Sequence, residues 1–419
     1  MILESIKSIV WGFPTVLTVA AFGVFFTVKS GLFRPKRLFA AFRTVFSGFS
    51  CVKTKGVSPF AAAATAIGGT VGVGSIVGVG YGIAVGGAGS VFWMWVCSFF
   101  GMGLKYAEVK AALPARSACE INYGGAPYRL RSLGYKKLSA LFCVCCIACS
   151  FGTGNLAQSG AAANCLGYAG LSRPVCAAVC FIPVAVAVFG GGKRIASVNA
   201  FVIPVASAVY IAVCLALLIM NRSAIPSAFG SIFKNAFGIK PLAGGFSGAL
   251  LARAIKEGCA RSVFSNEAGM GSSPLAHASS DPSGDGGLQC SLGVFEVFFD
   301  SFAVSTLTAL CLLTAGTDDV FIAFGAESSR FAKVLITALV CLFAFASVIS
   351  WCFYAESCLV CLFGRRKLPL YVYRVLFSAT AFAGAFIGTG NFLAASDILN
   401  ALMRAPNLFL LFKCRNEIY

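Results

Sequence analysis

Eleven apolar runs, each of about twenty to thirty residues, follow one another along this chain, and they limit its fold more than any other feature. They cover approximately residues 8–28, 60–85, 89–112, 138–165, 174–191, 198–220, 246–275, 288–315, 331–361, 370–388 and 392–412. A helix of about 20 residues crosses the roughly 30 Å hydrocarbon core of a bilayer. Hydrophobic residues make up 58% of the chain and charged residues 11%, against about 45–50% and 25% in soluble domains. An all-α integral membrane protein of about eleven transmembrane helices is predicted. A soluble enzyme is excluded.

The formal net charge is +18, and its distribution matters more than its size. Lys29, Arg34, Lys36, Arg37, Arg43, Lys53 and Lys55 lie between the first two runs without an acid; Arg116, Arg129, Arg131, Lys136 and Lys137 follow the third. By parity Lys193, Arg194, Arg365, Arg366, Lys367, Lys413 and Arg415 fall on the same side, while Asp318, Asp319 and Glu327 fall opposite. Asp281 and Asp285 sit on the basic side, where acids count little. The positive-inside rule then puts the N-terminus outside and the C-terminus in the cytoplasm. Charge spread over short connections forms no continuous basic face, so the expected partner is a lipid bilayer and not nucleic acid. No cleavable signal is expected, because basic residues follow the first run. Within the first basic loop, Leu38, Phe39, Phe42, Val45, Phe46 and Phe49 recur at helical spacing against Arg34, Arg37 and Arg43. That pattern predicts an amphipathic helix on the inner membrane surface.

The 19 cysteines sit mostly inside apolar runs, where cysteine acts as a small hydrophobe. Cys143 and Cys146 form a CxxC, and no second pair or histidine cluster is read as completing a zinc pattern, His277 being the lone histidine. No resident metal is expected, and no cofactor.

Two runs contradict themselves. Gly68, Gly69, Gly72, Gly74, Gly78 and Gly80 crowd the second run, each costing a helix about 1 kcal/mol relative to alanine. Close packing of membrane helices asks for a small residue at every fourth position; GGTVGVGS is denser, which favours an unwound segment at Gly72–Ser75. The seventh run carries Ser265, Asn266, Glu267, Gly269, Gly271 and Pro274 at its centre, where polar groups are costly unless they line a cavity or bind something. Each break opens a set of five runs, 60–220 and 246–412, that parity sets in opposite directions. The pattern is a five-plus-five inverted repeat with discontinuous helices, preceded by residues 1–55 as an extra helix and amphipathic segment. Such paired breaks mark the central site of a transporter: half-helix N-termini face an anion, and freed carbonyls hold a small cation. A proton-coupled carrier stays open through Glu267, Glu296 and Asp300, as does a passive channel or receptor-like protein whose breaks shape a pore.

The stretch VFSNEAGMGSSPLAHASS at 263–280 closely resembles the signature of the alanine or glycine:cation symporter family, sodium-coupled amino-acid carriers. VFWMWVCSFFGMGLKYAEV at 91–109, FEVFFDSFAVSTLTAL at 295–310, FAFASVISWCFYAES at 343–357 and DILNALMRAPNL at 397–408 look like that family in the expected order. The resemblance spans nearly the whole chain. It implies a LeuT-type fold in the inner cell membrane and import of a small neutral amino acid, alanine or glycine, with Na+. Matched position by position, it implies substrate contacts from Val73, Gly74, Ser75, Gln158, Asn266, Gly269, Met270 and Trp351. A sodium site would take the Gly68 and Val71 carbonyls and the Ser347 hydroxyl. Trp351 would cap a small side chain, or else anchor a membrane edge. Gln158 would face the site or bond between helices, and Glu267 is expected to pair with a structural donor such as a backbone amide or a nearby cation, or else to contact substrate. The chain departs from the family's GTGN at Gly72-Val73-Gly74-Ser75, losing a threonine hydroxyl and an asparagine amide. It also has Ser347 where a threonine is usual, which keeps a hydroxyl.

Overall fold

The apolar runs fold as helices. The computed structural model describes residues 13–47, 56–116, 123–237, 246–280, 286–387 and 390–418, and among them the one β pairing is a bridge between Val57 and Ser280. In chain order the helices are α1 Phe13–Ser30, α2 Pro35–Ser47, α3 Pro59–Thr70, α4 Val73–Gly86, α5 Gly89–Ala112, α6 Ala126–Ser132, α7 Lys136–Phe151, α8 Ala157–Tyr168, α9 Arg173–Phe189 and α10 Gly191–Met220. Then come α11 Ile225–Ala236, α12 Phe246–Asn266, α13 Pro274–His277, α14 Gly286–Val297, α15 Ser305–Ala315, α16 Val320–Ala323, α17 Arg330–Phe363, α18 Lys367–Ala383 and α19 Gly390–Lys413. Each expected run holds a helix or a broken pair. The start of the first run, Phe49, Lys53, Lys55, Asp281 and Asp285 lie outside the described residues.

Five helical stretches among the described residues are long and apolar enough to cross a membrane unaided: 59–86, 136–168, 191–220, 286–315 and 330–363. The α1–α2 pair, bent by 86°, makes a sixth when counted as one span. Other runs turn charge inward: Lys105 and Glu108 on α5 and Arg404 on α19 are all buried. At the centre α5 packs along α12, α1 and α14, while α17 packs on α3, α7, α8 and α10.

Local chemistry starts and stops these helices. Ser58 caps α3, its hydroxyl accepting the Ala61 N–H (3.1 Å), with Pro59 in the first turn. Ser329 does the same for α17 through the Ala332 N–H (3.3 Å). The fourth and eighth spans widen into π-helix at 152–156 and 298–304, a distortion that concentrates at functional sites.

Both breaks differ from the expected ones in extent. Between α3 and α4 only Val71 and Gly72 leave the helix, which resumes at Val73. Gly68 and Gly69 serve close approach instead. A Cβ on Gly68 would stand 2.8 Å from the Ser350 hydroxyl and one on Gly69 2.2 Å from that of Tyr354, both on α17. The seventh run does not continue to 275: α12 stops at Asn266, and Glu267 (φ 53°), Gly269 (φ 89°) and Gly271 (φ 76°) adopt left-handed backbone. That conformation ends a right-handed helix, and only the single turn of α13 follows.

Helix α2 divides its apolar residues between two environments. Val45 and Ala41 are buried and Phe42 meets Phe298 edge-on (centroids 4.8 Å apart), while Phe39 and Phe46 are exposed. Helix α11 escaped the sequence reading; its apolar face meets Trp93, whose Nε1–H donates to the Ala236 carbonyl (2.9 Å). So did two further CxxC spacings, Cys146 with Cys149 on α7 and Cys358 with Cys361 on α17. The described cysteines are free, and no group of three or more His, Cys, Asp or Glu side chains among the described residues is arranged to hold a metal.

Candidate functional site

The two breaks face each other across a cavity of about 390 Å³, within the range of small-ligand sites, about 300–1,000 Å³. One wall is the α3–α4 junction, from Gly69 to Tyr81. Opposite it stand Arg261, Phe264, Ser265, Glu267 and Met270 of the second break. Thr153, Ala157 and Gln158 come from the fourth span, Trp351 from α17, and Asp397 with Asn400 from α19.

The first N–H groups of a helix have no partner inside it, and here one is turned on the cavity wall. The Val73 N–H, at the head of α4, donates to Oε1 of Gln158 (3.1 Å). Gly72 permits that approach: a Cβ there would lie 2.9 Å from Gln158 Oε1 and 3.2 Å from the Ser347 hydroxyl. Around Gly74 a Cβ would meet nothing within 4 Å, so this position faces open space. Trp351 is 3% exposed, in the middle of a 34-residue helix, and meets Tyr354 edge-on at 5.6 Å. It does not stand at a helix end as a membrane-edge anchor would. Its ring presses on Gly154, where a Cβ would lie 2.5 Å from Cγ.

Of the eight residues expected at the substrate, Val73, Gly74, Gln158, Met270 and Trp351 line the cavity. The other three are turned behind its wall. The Ser75 hydroxyl donates to Oδ1 of Asp300 (2.5 Å). Asn266 is fully buried; its Oδ1 accepts the Ala268 N–H (3.0 Å), and its Nδ2 reaches the hydroxyls of Ser98, Ser262 and Ser301 at 3.1–3.3 Å. The Gly269 carbonyl accepts from Asn407 Nδ2 (3.0 Å). Asn407 also donates to Oε1 of Glu108 (2.6 Å), which takes the Gly271 N–H (2.9 Å). These bonds hold the irregular backbone of the second break, where buried polar groups must be paired. Glu267 accepts from a hydroxyl, Ser272 Oγ at 2.5 Å, in place of the backbone amide or cation expected, and also borders the cavity.

The expected cation group converges in part. The Ser347 hydroxyl reaches the Gly69 carbonyl (3.4 Å) at the end of α3, where helix carbonyls lack internal partners. Val71 is buried at the break, its N–H donating to the Ile67 carbonyl (2.7 Å).

Sequence reasoning missed several cavity residues. Arg261 lies over the rings of Tyr81 (5.2 Å) and Phe264 (5.7 Å). Thr153 links the π segment to α19: its N–H donates to Ser396 Oγ (2.9 Å) and its hydroxyl accepts from Asn400 Nδ2 (3.1 Å). Arg261, Phe264 and Ser265 at i, i+3 and i+4, and Asp397 and Asn400 at i and i+3, carried a signal, since each set shares one helix face. Deeper in, Lys105 bonds Ser273 Oγ (2.5 Å) and Glu296 Oε1 (3.3 Å), and His277 bridges Glu296 (2.9 Å) and Gln289 (2.7 Å).

Comparisons with known proteins identify the family. The profile of the sodium:alanine symporter family matches residues 1–418. The sodium/alanine symporter AgcS of Methanococcus maripaludis is 33% identical over 97% of this chain and 93% of its own length. The amino-acid carrier protein AlsT of Bacillus subtilis is 32% identical over 95% and 86%. A probable sodium/glutamine symporter of Bacillus subtilis is 30% identical over 100% and 90%. Among solved structures, the manganese transporter of Eremococcus coleocola superposes with a TM-score of 0.52 over 84% of this chain and 76% of its own, at 14% identity; that likeness concerns the fold alone. The expected LeuT-type architecture with discontinuous helices stands. The chain belongs to the sodium:alanine symporter family, and is a multi-pass membrane protein that carries amino acids coupled to a cation and catalyses no covalent reaction.

Proposed function

We propose that this carrier imports alanine or glycine with Na+ across the inner cell membrane, rocking one helical bundle against the other around the cavity between the two breaks. The observation that carries the reading is the Val73 N–H, held at the cavity wall by the Gln158 amide oxygen. A helix N-terminus favours an anionic oxygen, so the substrate carboxylate takes this place and Gln158 turns to donate to it. Val73, Gly74, Gln158, Met270 and Trp351 form the substrate surface. Ser75, Asn266 and Gly269 shape it from behind. Trp351 and the narrow wall limit the side chain to hydrogen or methyl.

The coupling ion sits at the end of α3, between the Gly68 and Val71 carbonyls and the Ser347 hydroxyl. Residues 60–220 and 246–412 act as the two inverted repeats, with 1–55 added outside them, the N-terminus outside the cell and the C-terminus in the cytoplasm. Competition against labelled alanine in proteoliposomes with an inward Na+ gradient tests the substrate. Unlabelled alanine and glycine suppress uptake while glutamine, valine and leucine do not. Suppression by glutamine at equal concentration contradicts the reading.

A further inference from the structure

A second cavity, of about 690 Å³, opens on the flank of the bundle between α8, α9 and α17 and shares no lining residue with the substrate cavity. Small side chains leave the room: Ala162 on α8, and Ala338 and Ala344 on α17. Val334, Ala338 and Leu342 are exposed, so the groove opens outward to the surroundings of the bundle. On α17 its wall is a single helical face, Arg330, Lys333, Thr337, Cys341, Phe345 and Val348, at steps of three or four residues.

This face is graded along its length. Arg330 and Lys333 stand in the first turn of α17, and the Lys333 ammonium lies over the Tyr168 ring, 4.4 Å from its centroid. Neither pairs with a carboxylate among the described residues, and no acid among them lines the groove. One turn deeper comes Thr337, 3% exposed, whose hydroxyl has no hydrogen-bond partner among the described residues. A threonine inside a helix commonly returns its hydroxyl to the carbonyl four residues back, as Thr314 does to Leu310 (2.8 Å). Thr337 does not, and a buried hydroxyl left unpaired is costly. Below it α17 offers the groove only apolar side chains and the Cys341 thiol.

Positive charge, one hydrogen-bond donor and an apolar trough thus follow one another in the order in which a phospholipid presents its phosphate, its ester and its chain. From Lys333 to Thr337 the helix rises about 6 Å, close to the span of a glycerol backbone. We propose that this groove binds one anionic phospholipid, its phosphate against Arg330 and Lys333, Thr337 donating to an ester carbonyl, and one acyl chain lying between α9 and α17. Basic residues between transmembrane helices select anionic head groups, and the N-terminus of α17 adds its positive end. A zwitterionic lipid fills the trough but brings no net charge to the two cations. A free phosphate uses the cations and leaves Thr337 and the trough empty. Ser159 and Val348, on the groove wall, are the chain neighbours of Gln158 and Ser347, so a bound chain backs the two helices that carry the proposed substrate and ion contacts. The lipid site itself does not depend on what is carried.

Equilibrium binding of lipid to the purified, delipidated full-length carrier in detergent tests it, read by mass spectrometry as lipid retained per chain. Wild type retains one dioleoylphosphatidylglycerol and binds it about tenfold more tightly than dioleoylphosphatidylcholine. Arg330→Gln with Lys333→Gln removes that preference and leaves phosphatidylcholine binding unchanged. Thr337→Val weakens both lipids about threefold, and Ala338→Trp, at an exposed position, fills the trough and excludes both. The glutamine pair lies in the first turn of α17 and spares the packing below, so it decides the matter if Ala338→Trp does not fold. Equal affinity for the two lipids in wild type, or a preference that survives in the glutamine pair, overturns the site. Glycerophosphoglycerol, the same head without acyl chains, competing at equal concentration makes this a free-anion site and also overturns it. Dimeric elution that Ala338→Trp abolishes, with no phosphatidylglycerol retained by wild type, gives the groove to a second copy of the chain, and that too overturns the proposal.

Discussion

Gln158 and Val73, 85 residues apart, meet through one hydrogen bond: the amide oxygen of Gln158 accepts the first N–H of α4 at 3.1 Å. The bond fixes the width of the cavity at the first break. Replacing Gln158 by alanine leaves the N–H without a partner and removes the donor offered to the substrate. A lost hydrogen bond of this kind costs about 1–3 kcal/mol, so KM for alanine rises about tenfold or more. Gln158→Glu sets a negative charge against the substrate carboxylate and abolishes uptake. Initial rates over a range of alanine concentrations check both.

Gly72 and Gly74 separate two effects of adding a methyl group. At Gly72 the new carbon meets Gln158 at 2.9 Å and Ser347 at 3.2 Å, disturbing substrate and ion positions together; Gly72→Ala loses at least tenfold in uptake of both amino acids. At Gly74 nothing lies within 4 Å. Gly74→Ala folds normally and only narrows the cavity, so glycine uptake persists while alanine uptake falls. The ratio of glycine to alanine rates reads the difference, and equal losses for both would contradict it.

Trp351 sets the upper size of the substrate. Trp351→Leu shortens a buried ring that lines the cavity, and leucine or valine then competes with labelled alanine where it does not in wild type. Binding is normalised to folded protein, since truncating a buried aromatic side chain costs about 3–5 kcal/mol in the extreme case of alanine.

Lys105 and Glu296 are both wholly buried and 3.3 Å apart, with His277 on the far carboxylate oxygen. Breaking a buried pair from one side costs about 3–5 kcal/mol, whereas replacing both partners with neutral groups costs far less. Lys105→Met therefore lowers the melting temperature sharply, and Lys105→Met with Glu296→Gln restores most of it. Thermal unfolding in detergent measures the recovery.

How far this site can be read without coordinates depends on where each side chain points. The runs and both breaks were legible, because apolar length and glycine or polar interruption are properties of short stretches; that Val73, Gly74, Gln158, Met270 and Trp351 converge was legible only through the family resemblance. Ser75 was not: one residue beyond Gly74 on a helix is a turn of about 100°, and that swings its hydroxyl from the cavity to Asp300. Asn266 is the last residue of α12, so its side chain folds back onto the Ala268 N–H and the serines of α5 and α12. Its direction follows from the helix end, which a boundary uncertain by two residues leaves open. The π segments shift the register of Thr153 and Asp300 by a step that periodicity does not reveal.

The account turns on accumulation driven by the Na+ gradient. Purified carrier in proteoliposomes, loaded with potassium and diluted into sodium, takes up labelled alanine above the outside concentration. The excess vanishes when an ionophore collapses the Na+ gradient or choline replaces Na+. Uptake that stops at equal concentrations under an intact Na+ gradient, or accumulation that follows an imposed proton gradient without Na+, would contradict Na+-coupled symport.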